Sequence, residues 1–356
     1  MALPFLKSSL SKSRDHIFSV DLGGRTTKAV YLQRTQDGFA LSRFAVLDAP
    51  IFEKSWTPEL ISEHLRSVVQ AVEPRTRQIT LAVGFNEMVV RSLEMPAMPV
   101  HEMRQILKMN TKVYLQQDLP GYLYDCHVIS RNGEPKPDKK PDAGASKVKV
   151  IVAGAKKAIV DDLQTAIRGA GLTPDCIVPA LISPINAFER AMPDVFANEV
   201  VALIDIGFRN STICLLQQGE LILSRVVNLG GDKLTSGLSE MMGISYAEAE
   251  GIKIGMPTEV QSQLELLVSP LGRELRASID FFEHQRDRTV NRVYVSGGSA
   301  RSELIVQILQ TELAIECHTW NPTGFLQMST PAEQSAEIDQ VASQLTVAVG
   351  AALTPA

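Results

Sequence analysis

Val20-Asp21-Leu22-Gly23-Gly24-Arg25-Thr26-Thr27-Lys28 and Ile204-Asp205-Ile206-Gly207-Phe208-Arg209-Asn210-Ser211-Thr212 are two variations on one pattern. In each, an apolar run ends in Asp-x-Gly, passes through a short polar turn and enters a second apolar run, Ala29 to Leu32 in one and Ile213 to Leu216 in the other. That order predicts strand, tight turn, strand. Glycine and short hydroxyl or amide side chains leave the backbone N–H groups of such a turn open to an anion. One copy falls in each half of the chain, so the pair predicts two related domains closing on one polyphosphate from opposite sides.

Size and charge agree with two domains. A chain of 356 residues suits two cores of comparable size, and a 45% hydrophobic fraction can fill them. A net charge of −5 provides no global basic field, so no nucleic-acid partner is expected. Cys126, Cys176, Cys214 and Cys317 lie far apart without a Cys-x-x-Cys pair, which points to a reducing compartment and a cytoplasmic protein. The six histidines show no paired ligand spacing, and neither a Gly-x-Ser-x-Gly elbow nor a Gly-x-x-x-x-Gly-Lys-Ser/Thr loop occurs. Zinc, serine-hydrolase and P-loop chemistries therefore find no support. Residues 1–16 read as a solvated tail whose apolar run, Leu3 to Leu10, is too short for a signal peptide or membrane span.

The first half continues with expected strands at Ile17 to Gly23, Lys28 to Arg34 and Gly38 to Asp48. From Thr57 to Val72 the apolar residues Leu60, Ile61, Leu65, Val68, Val69 and Val72 share a helical face, with Thr57 placed as N-cap and Pro58 at the first helical position. Strands are expected at Ile79 to Val83 and Met88 to Leu93, then a helix from His101 to Leu115. Residues 131–147, rich in Pro, Gly, Asp and Lys, read as a mobile loop. A strand at Val148 to Val152 and a helix from Ile159 to Ala170 follow. The second half repeats the three-strand opening at Val200 to Gly207, Ser211 to Gln217 and Gly219 to Leu229. A long helix from Glu259 to Gln285 is expected, with Pro270 as a candidate break, and the strand Arg292 to Ser296 runs into Gly297-Gly298-Ser299-Ala300. A strand, a glycine pair and a helix start make an anion or nucleotide approach.

Taken in order, the two Asp-x-Gly hairpins, Ala249-Glu250-Gly251-Ile252-Lys253 and the strand ending in Gly297-Gly298 make the chain resemble the actin-like ATPase superfamily over nearly its whole length. Within it the chain resembles the PilM family of type IV pilus assembly proteins, relatives of the division protein FtsA. That closer resemblance rests on Glu94-Met95-Pro96 with Pro99 and His101-Glu102-Met103, on Val148 to Lys157, on Ala170-Gly171-Leu172-Thr173-Pro174, on Val227 to Asp232, on Val295 to Ala300, and on Trp320-Asn321-Pro322.

The resemblance implies an α/β, two-lobed actin-like ATPase fold of duplicated RNase H-like domains with an inserted small α+β subdomain. The implied division is 17–77 with 173–199 (subdomain 1A), 78–172 (1C), 200–229 with 290–356 (2A) and 230–289 (2B). Carried over to this chain, Asp21 and Asp205 would hold the waters of a Mg2+ ion accompanying ATP, and Lys28 would reach the β- and γ-phosphates. The backbones of Gly23, Gly24, Arg25, Thr26 and Thr27, and of Gly207, Arg209, Asn210 and Ser211, would donate to phosphate oxygens. Glu250 would meet the ribose hydroxyls, Gly297, Gly298 and Ser299 would admit the adenine, and Gly231, Asp232 and Lys253 complete the expected set. The implied partners are the cytoplasmic N-terminal peptide of a PilN-like inner-membrane protein, received by the inserted subdomain, and other pilus assembly proteins; self-association stays open. The chain would lie at the cytoplasmic face of the inner membrane, peripheral through its partner.

Two departures bear on activity. Ile177-Val178-Pro179-Ala180 stands where the family usually shows an acidic run, removing a carboxylate that could orient an attacking water. Arg25 and Phe208-Arg209 replace small residues of the phosphate turns, and the arginines either add phosphate contacts or fill the cleft. Nucleotide binding with slow or no hydrolysis is the expectation, at most a weak ATPase. The alternatives are an FtsA-like scaffold and a small-molecule kinase of the same superfamily, for which Asp232 is the only candidate base.

Overall fold

A computed structural model of the chain describes residues 14–50, 56–84, 88–129 and 147–354. The first half opens as the hairpin pattern requires, with β1 (His16–Leu22), β2 (Thr26–Thr35) and β3 (Gly38–Asp48) in an antiparallel meander. Helix α1 (Pro58–Val72) then returns the chain to β4 (Gln78–Val83), which lies parallel to β1. Thr57 caps that helix, its Oγ1 accepting the Leu60 N–H at 3.3 Å, and Ile61, Leu65, Val68 and Val72 bury one face against the sheet. Such a cap is worth about 1 kcal/mol.

Next come β5 (Val89–Pro96), α2 (Val100–Met109), α3 (Thr111–Leu115), β6 (Tyr122–Val128) and β7 (Lys147–Lys156). Their three strands form a separate antiparallel sheet in the order β5-β7-β6, over a core of its own that includes Met95, Met103, Leu107, Cys126 and Val152. The expected single helix from His101 to Leu115 is broken at Asn110, whose N–H closes α2 on Ile106 while its carbonyl accepts from Val113 and Tyr114. Asparagine is a poor helix-interior residue and a good end residue, which accounts for the break. The chain re-enters the first sheet through α4 (Lys157–Gly169), packed on α1, and β8 (Thr173–Pro179), parallel to β4. The insertion therefore runs from β5 to β7. The expected span 78–172 included β4 and α4, but β4 pairs with β1 and β8 on its two sides and belongs to the first sheet.

After α5 (Ser183–Ala191) and α6 (Pro193–Asn198), the second half repeats the first: β9 (Val200–Ile206), β10 (Ser211–Gln217) and β11 (Glu220–Val227) make an antiparallel meander. Helices α7 (Gly231–Met242), α8 (Tyr246–Gly255) and α9 (Gln261–Arg286) lead to β12 (Arg292–Ser296), parallel to β9. Then α10 (Glu303–Leu313) leads to β13 (Cys317–Thr319), parallel to β12. The sheet orders β3-β2-β1-β4-β8 and β11-β10-β9-β12-β13 are the same topology, strand direction included. Pro270 does not end α9. A buried stripe on both sides of it, Leu264 and Val268 before and Leu271, Leu275, Ile279 and Phe282 after, outweighs the one missing hydrogen bond.

The last segment crosses back to the first lobe. β14 (Gln327–Met328) adds to the edge of β3, and beyond α11 (Ala332–Val341) the helix α12 (Thr346–Ala352) packs on α5, β1, β2 and β4. The expected assignment of 290–356 wholly to the second lobe is corrected accordingly. Helices α5 and α12 approach so closely that a Cβ on Gly350 would lie 1.7 Å from the Ser183 carbonyl oxygen. Arg14 is also not a solvated tail residue: its guanidinium bonds to Asp175 at 2.5 Å, to Thr80 at 3.1 Å and to the Thr354 carbonyl at 2.5 Å. His16, also expected in the tail, begins β1; residues 1–13 of the expected tail and 131–146 of the expected loop 131–147 lie outside the described residues, and Lys147 begins β7.

Candidate functional site

The spacing of the paired motifs is a hairpin register. Asp21 on β1 sits directly across from Lys28 on β2, and Asp205 on β9 directly across from Thr212 on β10. Side chains alternate faces along a strand, so a carboxylate one residue before the end of β1 or β9, still held in the ladder, is carried to the sheet end with a fixed direction. The two ends face each other across a cleft of about 620 Å³ lined by both turns, by Glu250 and Lys253 of α8, and by Gly297, Gly298 and Ser299.

The two aspartates are held differently. Lys28 Nζ lies 3.4 Å from Asp21 Oδ2, folding over the turn at Gly23. A Cβ at Gly23 would stand 2.4 Å from the Thr26 carbonyl oxygen and 2.6 Å from Lys28 Nζ, so only glycine permits this fold of the lysine. In the second copy Ser296, paired with Asp205 across the parallel β9–β12 ladder, donates its Oγ to Asp205 Oδ1 at 2.9 Å. Burial raises the Asp205 pKa to about 6, with the charge of Asp21 adding to the rise while Ser296 and Lys28 oppose it. Burial raises Asp21 as well, against the attraction of Lys28. Two desolvated carboxylates, with the charge of Asp21 acting on Asp205 and one lysine acting on both, form a site that a cation would relieve.

The second lobe supplies the far wall. Glu250 Oε2 accepts from Thr235 Oγ1 at 2.5 Å and from the buried Lys253 ammonium at 2.7 Å. Burial alone would raise the Glu250 pKa, but Lys253, Thr235 and Arg25 bring it below the usual value, and Glu250 is a carboxylate. Burial lowers Lys253, with Glu250 opposing that effect. Gly297, at φ +93, adopts a conformation open to glycine, and a Cβ there would meet the Ile206 carbonyl oxygen at 2.5 Å. Behind the first turn, His64 Nε2 of α1 is 2.7 Å from Thr27 Oγ1, and burial lowers its pKa.

Every predicted site residue lines this cleft except Ser211 and Asp232. The Ser211 hydroxyl is buried and donates to the Leu229 carbonyl at 2.6 Å, while Asp232 accepts the Tyr246 hydroxyl at 3.0 Å. The N–H of Gly23 donates to the Asp21 carbonyl and that of Gly207 to the Asn210 carbonyl, both at 3.1 Å, so these two donors close their own turns. Sequence reasoning missed Thr235, Ser296, Tyr246 and His64. Only Ser296, immediately before Gly297-Gly298, carried a sequence signal. Pro179 and Ala180, from the stretch Ile177-Val178-Pro179-Ala180, line the cleft with side chains that carry no carboxylate.

Comparison with known proteins decides the family. The family model for type IV pilus assembly protein PilM matches residues 19–355. The chain belongs to the PilM family. A solved PilM–PilN type IV pilus biogenesis complex superposes with this PilM-family chain at a TM-score of 0.81 and 20% identity, covering 95% of this chain and 97% of the other. The ethanolamine utilization protein EutJ of Carboxydothermus hydrogenoformans gives 0.55 at 15% identity, over 97% and 92% of the two chains. MreB5 of Spiroplasma citri bound to ADP gives 0.53 at 10% identity, over 94% of each. The fold is the expected two-lobed actin-like ATPase fold with an inserted subdomain. In sequence, the cell division protein FtsA of Bacillus subtilis (strain 168) is 24% identical over 252 residues, which is 66% of this chain and 56% of FtsA's own length.

Proposed function

We propose that this PilM-family chain is a type IV pilus assembly adaptor, or a component of a related secretion machine, that binds Mg·ATP in the interlobe cleft with slow or no hydrolysis and docks the cytoplasmic N-terminal peptide of a PilN-like inner-membrane protein. The observation that carries the nucleotide part is the facing of Asp21 with Lys28 against Asp205 with Ser296 at the ends of two duplicated sheets. The residues fit the absent groups. Magnesium keeps several waters and takes one or two carboxylates plus phosphate oxygens, and two carboxylates converge here. Among the described residues no cluster of three or more His, Cys, Asp or Glu forms a protein cage for a metal. When bound, the ion would offset the repulsion between the aspartates and the phosphates. Asp21 and Asp205 would orient its waters, Lys28 would add a point charge, and Glu250 would accept from sugar hydroxyls.

The peptide part draws on family membership and on the solved PilM–PilN complex. Within the span 78–172 expected to receive the peptide, β4 is paired on both sides and cannot accept another strand. The insertion's sheet keeps two edges, β5 and β6, where an extended peptide could add main-chain hydrogen bonds. No helix among the described residues is long and apolar enough to cross a membrane. The kinase alternative loses its one candidate base, since Asp232 is held by Tyr246 outside the cleft lining.

Calorimetric titration with Mg·ATP tests the nucleotide part. Saturable binding weakened by both Asp21→Ala and Lys28→Ala is expected, and no binding by nucleotide-free wild type would overturn it. Titration of the full chain with a PilN-type N-terminal peptide tests the docking part, with absence of saturable binding as the refuting result.

A further inference from the structure

Arg25 belongs to the first lobe's turn, yet its side chain makes its contacts on the second lobe. Its Nη1 lies 3.4 Å from Glu250 Oε1 and 3.5 Å from the Tyr246 hydroxyl. Its guanidinium carbon stands 5.9 Å from the ring centre of Phe208 and 5.8 Å from that of Tyr246, both within range of cation–π attraction. The turns lie close beside it, separated by about the width of one methyl group, for a Cβ on Gly24 would make ordinary van der Waals contact with the Phe208 ring at 3.4 Å and the Arg209 side chain at 3.5 Å.

The two oxygens of Glu250 have different roles in this arrangement. Oε2 faces inward and is engaged by Thr235 and by Lys253, whose side chain is almost fully buried. Oε1 is the oxygen that Arg25 approaches from the cleft. A hydroxyl-bearing ligand that uses Glu250 as an acceptor from the cleft side must therefore take Oε1 from Arg25, because displacing Lys253 would leave a buried ammonium without its carboxylate.

From this we infer that Arg25 is an autoinhibitory latch: it bridges the cleft mouth by holding Glu250, Tyr246 and Phe208, and it occupies the acceptor that the sugar of a bound nucleotide would use. The latch regulates the site proposed above, and its ligand-dependent part rests on that reading; its mechanical part does not. The side chain is 42% exposed, so each contact is individually weak and the latch is releasable. A ligand that engages Glu250 would gain its contacts only after the bridge breaks, and its apparent affinity is reduced by the fraction of molecules that remain latched.

Two measurements on the full chain separate the possibilities. Spin labels at Glu59→Cys on α1 and Glu240→Cys on α7, both exposed positions on opposite lobes, report interlobe distance by pulsed dipolar spectroscopy without nucleotide. The four native cysteines are buried and do not compete for label. Adding Arg25→Ala is expected to lengthen and broaden the distance distribution, and Arg25→Lys, which keeps the charge without the planar stack, to give an intermediate one. A distribution identical to wild type in Arg25→Ala, with an unchanged far-ultraviolet spectrum, overturns the latch whatever the ligand. In the second measurement, Arg25→Ala is expected to bind Mg·ATP severalfold more tightly than wild type. Weaker binding would make Arg25 a phosphate ligand and overturn its role as a competitor. If neither protein binds nucleotide, the ligand-dependent part fails together with the nucleotide reading, and the distance measurement alone decides whether the bridge exists.

Discussion

Replacing Asp205 by asparagine should make the protein more stable at neutral pH and unable to hold Mg·ATP. Burial places the Asp205 carboxyl at about 6 in the folded chain, against an ordinary value of 3.8. A raised carboxyl is one whose ionised form costs more in the folded state than in the unfolded state. Between these two values the native state binds more protons than the unfolded state, so stability falls as pH rises from about 4 to about 6 and then levels off. At roughly 1.4 kcal/mol per pH unit the full effect is about 3 kcal/mol, an order-of-magnitude upper bound because Asp21 titrates in the same field. The substituted amide would keep an acceptor for Ser296 while carrying no charge. At roughly 2 °C per kcal/mol, Asp205→Asn should raise the thermal midpoint at pH 8 by up to about 6 °C and by almost nothing at pH 4. Scanning fluorimetry of both proteins across that range measures it. A variant no more stable than wild type at pH 8, or a gap that does not widen between pH 4 and 7, would refute the claim that this carboxylate is held at the cleft against its own stability.

Three further outcomes follow from single positions. Gly23→Ala places a Cβ 2.4 Å from a backbone oxygen and 2.6 Å from Lys28 Nζ, so it should cost about 1–3 kcal/mol and at least tenfold in Mg·ATP affinity, read by urea denaturation and calorimetry. Gly350→Ala puts a methyl 1.7 Å from the Ser183 carbonyl oxygen and should destabilise by about 3 kcal/mol or more, with a normal urea midpoint as the contrary result. Thr57→Ala removes the α1 cap and should cost about 1 kcal/mol in the same assay without changing nucleotide affinity.

Much of the site was legible because its main elements are local. Asp21 and Lys28 are seven positions apart and meet because an antiparallel hairpin of that length pairs them, and the same register carries Asp205 to the equivalent place. Thr57 before Pro58 and an apolar stripe fixed the start of α1 for the same local reason. What escaped depends on partners distant in sequence. Ser296 reaches Asp205 only because β12 lies parallel to β9, and Arg25 meets Tyr246 only once both lobes exist. The boundary of the insertion was misplaced because Ile79 to Val83 reads as a strand in any sheet, and its sheet is chosen by β1 and β8 on either side. Asp232 was expected in the nucleotide set and as the candidate kinase base, yet its carboxylate is turned to Tyr246 on α8, a direction no spacing encodes.

The distribution of contacts between the lobes explains why the cleft mouth, rather than its base, is the place where motion is cheap. Away from the mouth the lobes share one apolar core: Val201, Leu203 and Tyr294 of the second sheet cluster with Leu32, Ile185 and Phe188, and Phe188 packs against Tyr294 and Trp320 with ring centres 4.8 and 5.2 Å away. β14 and α12 cross back to the first lobe and tie the same region a second time. The inserted sheet adds a third tie, an ion pair of Lys149 on β7 with the nearly buried Glu220 on β11 at 2.9 Å. Separating the shared core would expose large apolar side chains at a cost that rises with area. At the mouth, by contrast, the bridge is a half-exposed arginine with contacts at 3.4 Å and beyond, each worth little in water. In a body stiff at its base and weakly held at its mouth, hinging is the motion that breaks the fewest contacts, and any such motion would change the separation of Asp21 from Asp205 while leaving Lys28 and Ser296 on their own carboxylates. Each half of the site is thus preformed within its own lobe, and lobe closure sets the distance between the halves.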